Sequence, residues 1–269
     1  MLCSGLCSGA SMNLEHVQSA LLSTSGRRFW VRTQPHPHEP QSAVVQLIQR
    51  VSQFFPNDSR ALLRSVIQVN YPMSAMDRAM IRVAAKKAAE RTEEWGDPEV
   101  GPAQLLDGFL LPDPFGSSDG VLTRLSDEKQ GAAFLLELER DGIGKNEKDA
   151  RPLHQKDRPV FAMLMGPQGN LLGIEQNRQS INRTFHAEVL LVQRWWSLNG
   201  RPLPAGSQVW TTLQCCRMCA EMIWHCAEKP ESLRIRYLRP DPGALTKNRS
   251  WDRCVDAQTR EPIEQILEP

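Results

Sequence analysis

The spacing of apolar positions changes character past the middle of the chain. In the first half it is mostly helical. Leu14, Val17, Leu21 and Leu22 follow Asn13, a good helix cap, and fall near one face, which predicts a short helix over residues 14–22. Residues 29–31 suit a brief strand, and prolines 35, 37 and 40 then make a loop that no helix can cross, with His36 and His38 read as solvated loop residues. Ser42 can cap a helix carrying Val44, Val45, Leu47, Ile48, Val51, Phe54 and Phe55, ended by Pro56. Asp58 or Ser59 can start another running through Val69, and residues 76–95, rich in Ala and Lys with Gly96 and Pro98 beyond, form the longest helical pattern. Residues 105–122 mix Pro and Gly with apolar positions and read as irregular, and 129–140 as an amphipathic helix. Residues 1–141 are therefore predicted to be a mainly helical domain.

Residues 142–157 (GIGKNEKDARPLHQKD) are polar, charged and poor in apolar positions, which reads as a linker. After them the pattern becomes α/β. The continuous apolar run 160–165 suits a buried strand; Gly166 to Asn170 make a turn; 171–174 return as its partner. A helix over 185–198, a strand over 208–213, a helix over 216–227 and a strand over 233–238 follow. This order predicts a sheet with helices packed on it and parallel crossovers, a domain spanning 158–269.

Composition narrows the picture. With 269 residues, 41% apolar and 23% charged, the chain can bury a large core, which excludes a peptide hormone or a small disulfide scaffold. A net charge of +1 excludes a global polyelectrolyte, so any nucleic-acid contact must be a local patch. No apolar run nears the ~18 residues of a membrane span, and the first ten residues lack the basic start of a secretory signal. Four of the seven cysteines crowd at 215, 216, 219 and 226, which suits metal binding in a reducing compartment better than a disulfide framework. The expected setting is soluble and cytoplasmic, with no membrane.

Two segments carry the candidate chemistry: His186-Ala187-Glu188 opening one helix and Cys216-Arg217-Met218-Cys219 opening the next, each at a strand-to-helix junction. A helix N-terminus lowers a thiol's pKa, so two cysteines one turn apart there can face one metal ion as thiolates. One imidazole and two thiolates suit Zn2+ and leave a fourth tetrahedral position for water, the arrangement of a catalytic site. Glu188 is then the nearby carboxylate that can carry a proton. Without the carboxylate and the open position, the same ligands would make a closed structural zinc site; without the histidine, a redox pair.

HAEVLLVQ together with TLQCCRMCAEMI resembles the cytidine deaminase superfamily, including its tRNA adenosine deaminases and its bacterial toxin-like and orphan branches; the pairing of H-x-E with P-C-x-x-C is the signature of zinc deaminases. The resemblance covers about residues 158–243. It implies a three-layer α-β-α domain, His186, Cys216 and Cys219 as zinc ligands, Glu188 as proton shuttle, and Asn177 and Ala187 as substrate contacts. Cys215 stands where the family has proline, so Cys215 with Cys219 is a second way to make the pair; Thr212-Leu213-Gln214 in the family's register favours Cys216, with Cys215 a buried small residue. The implied reaction is hydrolytic, an amine replaced by a carbonyl, with cytosine to uracil in a polynucleotide as first choice. Free nucleoside or base, and adenosine in RNA, are the alternatives; a nucleic-acid- or partner-binding module with a structural zinc is the alternative from another class. Trp195 and Trp196 read as packing residues. Arg234, Arg236 and Arg239, alternating along the last strand with Arg217 nearby, are the candidate phosphate-tracking edge. The N-terminal domain has no recognised role beyond a protein partner.

Overall fold

A computed structural model describes residues 17–24, 27–54, 62, 65–84, 93–94, 104–105, 111–113, 128–148, 150, 156–246 and 264–266. Most of the expected irregular stretch over 105–122 and much of the helices expected from 58 and over 76–95 lie outside these residues.

Among its described residues, the first part carries a sheet beside its helices, where only one brief strand is expected. Strands β1 (Gln18–Ser23), β2 (Arg28–Thr33) and β3 (Val66–Val69), with the short β4 (Glu93–Glu94) and β5 (Gln104–Leu105), form a sheet in the order β4-β3-β1-β2-β5. The segment expected as a helix over 14–22 becomes β1, paired antiparallel to both β2 and β3. The reason is tertiary. Ser19 to Leu22 are four consecutive buried residues, a pattern that a central strand covered on both faces accommodates and a one-sided amphipathic helix does not. The end of the helix expected from 58 is likewise β3, where Ile67 and Val69 are buried and Val66 and Gln68 half-buried. Helices α1 (Ala43–Phe54) and α2 (Ala75–Ala84) match expectation at their starts. Ser42 Oγ accepts from Val45 N at 3.2 Å as the α1 cap. Ser74 and Asp77 make a reciprocal box on α2, and the other Asp77 oxygen accepts from the Ser42 hydroxyl, tying the two helix starts together.

The second sheet follows the sequence reading closely. Strands β6 (Phe161–Met165), β7 (Leu171–Gln176), β8 (Gln208–Leu213), β9 (Arg234–Arg239) and β10 (Glu264–Ile266) lie in the order β10-β9-β8-β6-β7. β6 is antiparallel to β7 and β8, whereas β8, β9 and β10 are parallel. Helix α3 (Glu128–Lys148) precedes this sheet, and α4 (Ala187–Asn199) and α5 (Arg217–Cys226) connect its strands. The two-residue period of β6 splits the core. Ala162 and Leu164 face the cluster containing α4 and α5, and Phe161, Met163 and Met165 face Ala132 and Leu135 of α3 on the other side. The third layer of the α-β-α stack is thus α3, a helix assigned above to the first domain. Gly142 to Lys148, read as the start of the linker, continue this helix. A Cβ added to Gly142 would sit 3.0 Å from the Phe161 ring, and one added to Gly131 would strike the ring of Trp210, so α3 lies flush on the sheet.

The two sheets share one buried cluster, running from Leu22, Ile67 and Met80 to Val189, Met222 and Ile223. Polar groups cross the seam as well: the buried amides of Gln49 and Gln193 bond each other at 3.2 and 3.0 Å, and Asn182 Nδ2 donates to Gln49 O at 2.8 Å. No helix among the described residues is long and apolar enough to cross a membrane.

Candidate metal centre and active site

Two helix N-termini converge beside the C-terminal end of β8. His186 occupies the N-cap of α4 (φ −72°, ψ 152°) and Cys216 the N-cap of α5 (φ −71°, ψ 167°); each carbonyl accepts the first helical bond, and neither side chain caps its own helix. The side chains are therefore available to each other. His186 Nδ1 lies 3.6 Å from Cys216 Sγ and 3.4 Å from Cys219 Sγ, and the two sulfurs are 3.4 Å apart. Around a tetrahedral zinc with bonds of about 2.3 Å to sulfur and about 2.0–2.1 Å to nitrogen, the same donors would stand roughly 3.6–3.8 Å apart. The donor set fits zinc in chemistry and in spacing, and among the described residues this trio is the group able to hold a metal ion. Cys215 is completely buried and outside it.

The electrostatics of the trio are those of ligands. The hydrogen bond from Cys219 and the adjacent His186 draw the Cys216 thiol well below its ordinary pKa against the effect of burial. Burial, with the charge of Cys216, pushes Cys219 well up. Burial pushes His186 down, but Cys216 and Glu188 outweigh it and leave the imidazole raised. The partial positive charge of two helix N-termini acts in the same direction on Cys216.

Glu188, in the first turn of α4, is 3% exposed. Burial raises its pKa; the imidazole of His186 opposes that, as does a hydrogen bond from the Cys215 thiol. Its Oε2 is buried with no hydrogen-bond partner. A buried carboxylate oxygen without a partner is costly to keep, and its natural function is to meet a group that is not part of the chain.

A cavity of about 30 Å³ opens onto His186, Glu188 and Cys216, and its other walls include Arg158, Asn177, Gln179, Gln214 and Asp241. Its volume is about one water's share of the liquid, far below the roughly 300–1,000 Å³ of a ligand pocket. Asn177 is held firmly, because its Oδ1 accepts from Ala187 N at 2.6 Å and its own N–H donates to Val160 O. That bond occupies the Ala187 N–H and leaves the Asn177 amide NH2 as the donor toward the cavity. Ala187 is completely buried and acts on the cavity through Asn177.

His186, Cys216, Cys219, Glu188 and Asn177 thus meet at one place. The arginine edge does not join them. Arg236 lies over the Trp210 ring, 5.6 Å from its centroid, and Arg239 is ion-paired to the buried Glu139 of α3. Neither lines the cavity; Arg158, which sequence reasoning passed over, does. Gln179, Gln214 and Asp241 were also missed. They sit in loops without periodicity, after β7, β8 and β9 respectively, and Gln214 accepts from Asp241 N at 3.2 Å. Trp195 is buried, as expected of a packing residue, and donates to the carbonyls of Arg201 and Pro202.

Comparisons with known proteins bear on the same region. Residues 151–260 match the family model of Bd3614-like deaminases. No curated protein matches the chain. Among solved structures it is similar to one from a study of A-to-I editing by tRNA:A34 deaminases at the wobble position of transfer RNA, at 22% identity, 52% of this chain, 99% of that one and a TM-score of 0.36. It is also similar to a guanine deaminase from Nitrosomonas europaea (19% identity, 46% and 68% of the two chains, TM-score 0.36) and to a dCMP deaminase from the cyanophage S-TIM5 (14%, 50% and 98%, TM-score 0.30).

Proposed function

We propose that residues 151–260, which match the family model of Bd3614-like deaminases, form a deaminase domain of the cytidine deaminase-like superfamily, and that the cavity beside His186, Cys216 and Cys219 hydrolyses the exocyclic amine of a nucleobase. The observation that carries this reading is the partnerless Glu188 Oε2 beside a zinc-type donor set. A closed structural zinc site has no use for such an oxygen.

His186 Nδ1, Cys216 Sγ and Cys219 Sγ would hold a zinc ion, which when bound would supply the chemistry of a Lewis acid that makes water nucleophilic at neutral pH. Glu188 takes the proton of the attacking water at Oε2, gives it to the ring nitrogen, and passes a second to the departing amine, so that water and an amine become a carbonyl and ammonia. Burial raises the affinity of Glu188 for that proton. Asn177 offers its NH2 to a hydroxyl or a base acceptor, with Ala187 N fixing the orientation. The closeness of the walls keeps bulk water from the reacting atoms.

Cytosine in a polynucleotide is the first substrate to test, with Arg158 as the cation at the rim. The engagement of Arg236 and Arg239 with Trp210 and Glu139 favours a second reading, a free nucleoside or base; adenosine in RNA is a further arm. The test is mass spectrometry of oligonucleotide and nucleoside pools for the amine-to-carbonyl change. Glu188→Ala should fold, retain zinc and lose turnover by ~10²-fold or more. Turnover of a polymer should fall steeply with salt and that of a nucleoside should not. Equal products from wild type and Glu188→Ala, or none from any pool, would leave a binding module with a structural zinc.

A further inference from the structure

Gln179 stands in the loop between β7 and α4, half-buried, with its side-chain nitrogen 2.8 Å from Nε2 of His186. The other imidazole nitrogen, Nδ1, faces both sulfurs. With Nδ1–H directed to the thiolate, Nε2 carries a lone pair and accepts from the Gln179 amide NH2. Once Nδ1 binds a cation, the ring proton must reside on Nε2, which becomes a donor. The same amide meets that donor by a half-turn about its last side-chain bond, which presents its oxygen. Few side chains serve both states: a carboxylate only accepts, an ammonium only donates, and an aliphatic group does neither.

We propose that Gln179 is the outer partner of the ligand histidine and that its amide reverses on metal loading. It holds the imidazole plane in both states, and in the loaded state it turns its NH2 away from His186 toward the cavity it lines. The loaded site then offers two amide donors to the substrate, from Asn177 and from Gln179, so the same event that arms the site also sets its polarity. The loop is stiff enough for this. Arg178 N donates to Phe185 O, Asn182 N to Arg178 O and Phe185 N to Asn182 O, at 2.8–3.1 Å, and Asn182 is anchored in turn to Gln49 of α1. Gln179 is a positioning residue. Its role rests on the zinc reading above, but its test does not depend on turnover.

The experiment is competition for zinc between the full chain and a chelator, on wild type, Gln179→Leu and Gln179→Glu, with nitrogen NMR of labelled imidazole in metal-free and loaded protein. Outer partners of metal ligands are typically worth about 10–100-fold in metal affinity. Gln179→Leu should weaken zinc binding by that factor, and Gln179→Glu, an acceptor for Nε2–H, should hold zinc at least as tightly as wild type. The resonance of Nε2 should change from acceptor to N–H on loading. Gln179→Leu within about twofold of wild type, or Gln179→Glu as weak as Gln179→Leu, overturns the proposal. A wild type that takes up no zinc overturns the metal reading instead, and the two failures are distinct. If Gln179→Leu does not fold, Gln179→Ala, which equally lacks an acceptor for Nε2–H, takes its place with the same expected and refuting results.

Discussion

Gln193→Ala tests whether the two halves of the molecule form one cooperative body. In the native seam Gln49 is completely buried and Gln193 is 2% exposed, and their amides satisfy each other at 3.2 and 3.0 Å. Removing Gln193 strands one donor and one acceptor of Gln49 away from water. Each stranded group costs about 1–3 kcal/mol, so the variant should lose about 2–6 kcal/mol, a large part of the ~5–15 kcal/mol that a typical protein has. Gln49→Leu should cost a similar amount. The double variant Gln49→Leu/Gln193→Leu removes both amides and should cost less than the sum, leaving a coupling of about 1–3 kcal/mol. Urea unfolding followed by tryptophan fluorescence and by circular dichroism measures this, with Trp30 on β2 of the first sheet and Trp195 and Trp210 beside the second. A cost below about 0.5 kcal/mol for either single variant, or separate transitions from the two probes, would refute the reasoning and make the first part an independent unit. Because Asn182 also bonds the Gln49 backbone, a loosened seam should reach the loop that carries Asn177, Gln179 and His186.

Cys219→Ala should lose zinc in metal analysis of the purified protein, whereas Cys215→Ala should keep it, since Cys215 lies outside the donor set; an empty Cys215→Ala beside a loaded Cys216→Ala would reverse the ligand assignment. His225 has its pKa lowered by burial, with Asp77 opposing and His38 adding. Its folded pKa lies below its unfolded value of about 6.5, so the unfolded chain protonates first on acidification. The stability present above about pH 6.5 should be lost as pH falls toward the folded pKa. In metal-free protein, urea midpoints between pH 7 and 5.5 should fall less steeply for His225→Gln than for wild type; equal slopes would rule His225 out.

The second half of the chain was legible in its sequence because its signals are local. A continuous apolar run marks β6, whose two faces are both covered, and Gly200 closes α4 in the left-handed conformation (φ 60°) that glycine adopts freely. The spacing within His186-Ala187-Glu188 and Cys216 to Cys219 was enough to expect one His-Cys-Cys donor group, because each pair of residues sits on a single helical turn at a helix start. The first half was less legible. The apolar residues of 14–22 satisfy a helical spacing and a buried strand equally well, and only pairing with β2 and β3, made by residues up to fifty positions away, decided for the strand. The same holds for α3, which looks like one more helix of the first part until the sheet face of Phe161, Met163 and Trp210 needs a cover. Arg236 and Arg239 show the limit most clearly. Alternation along a strand tells which residues share a face, but whether that face meets a phosphate, an indole or a buried glutamate depends on what packs against it, and here α3 and Trp210 were already there.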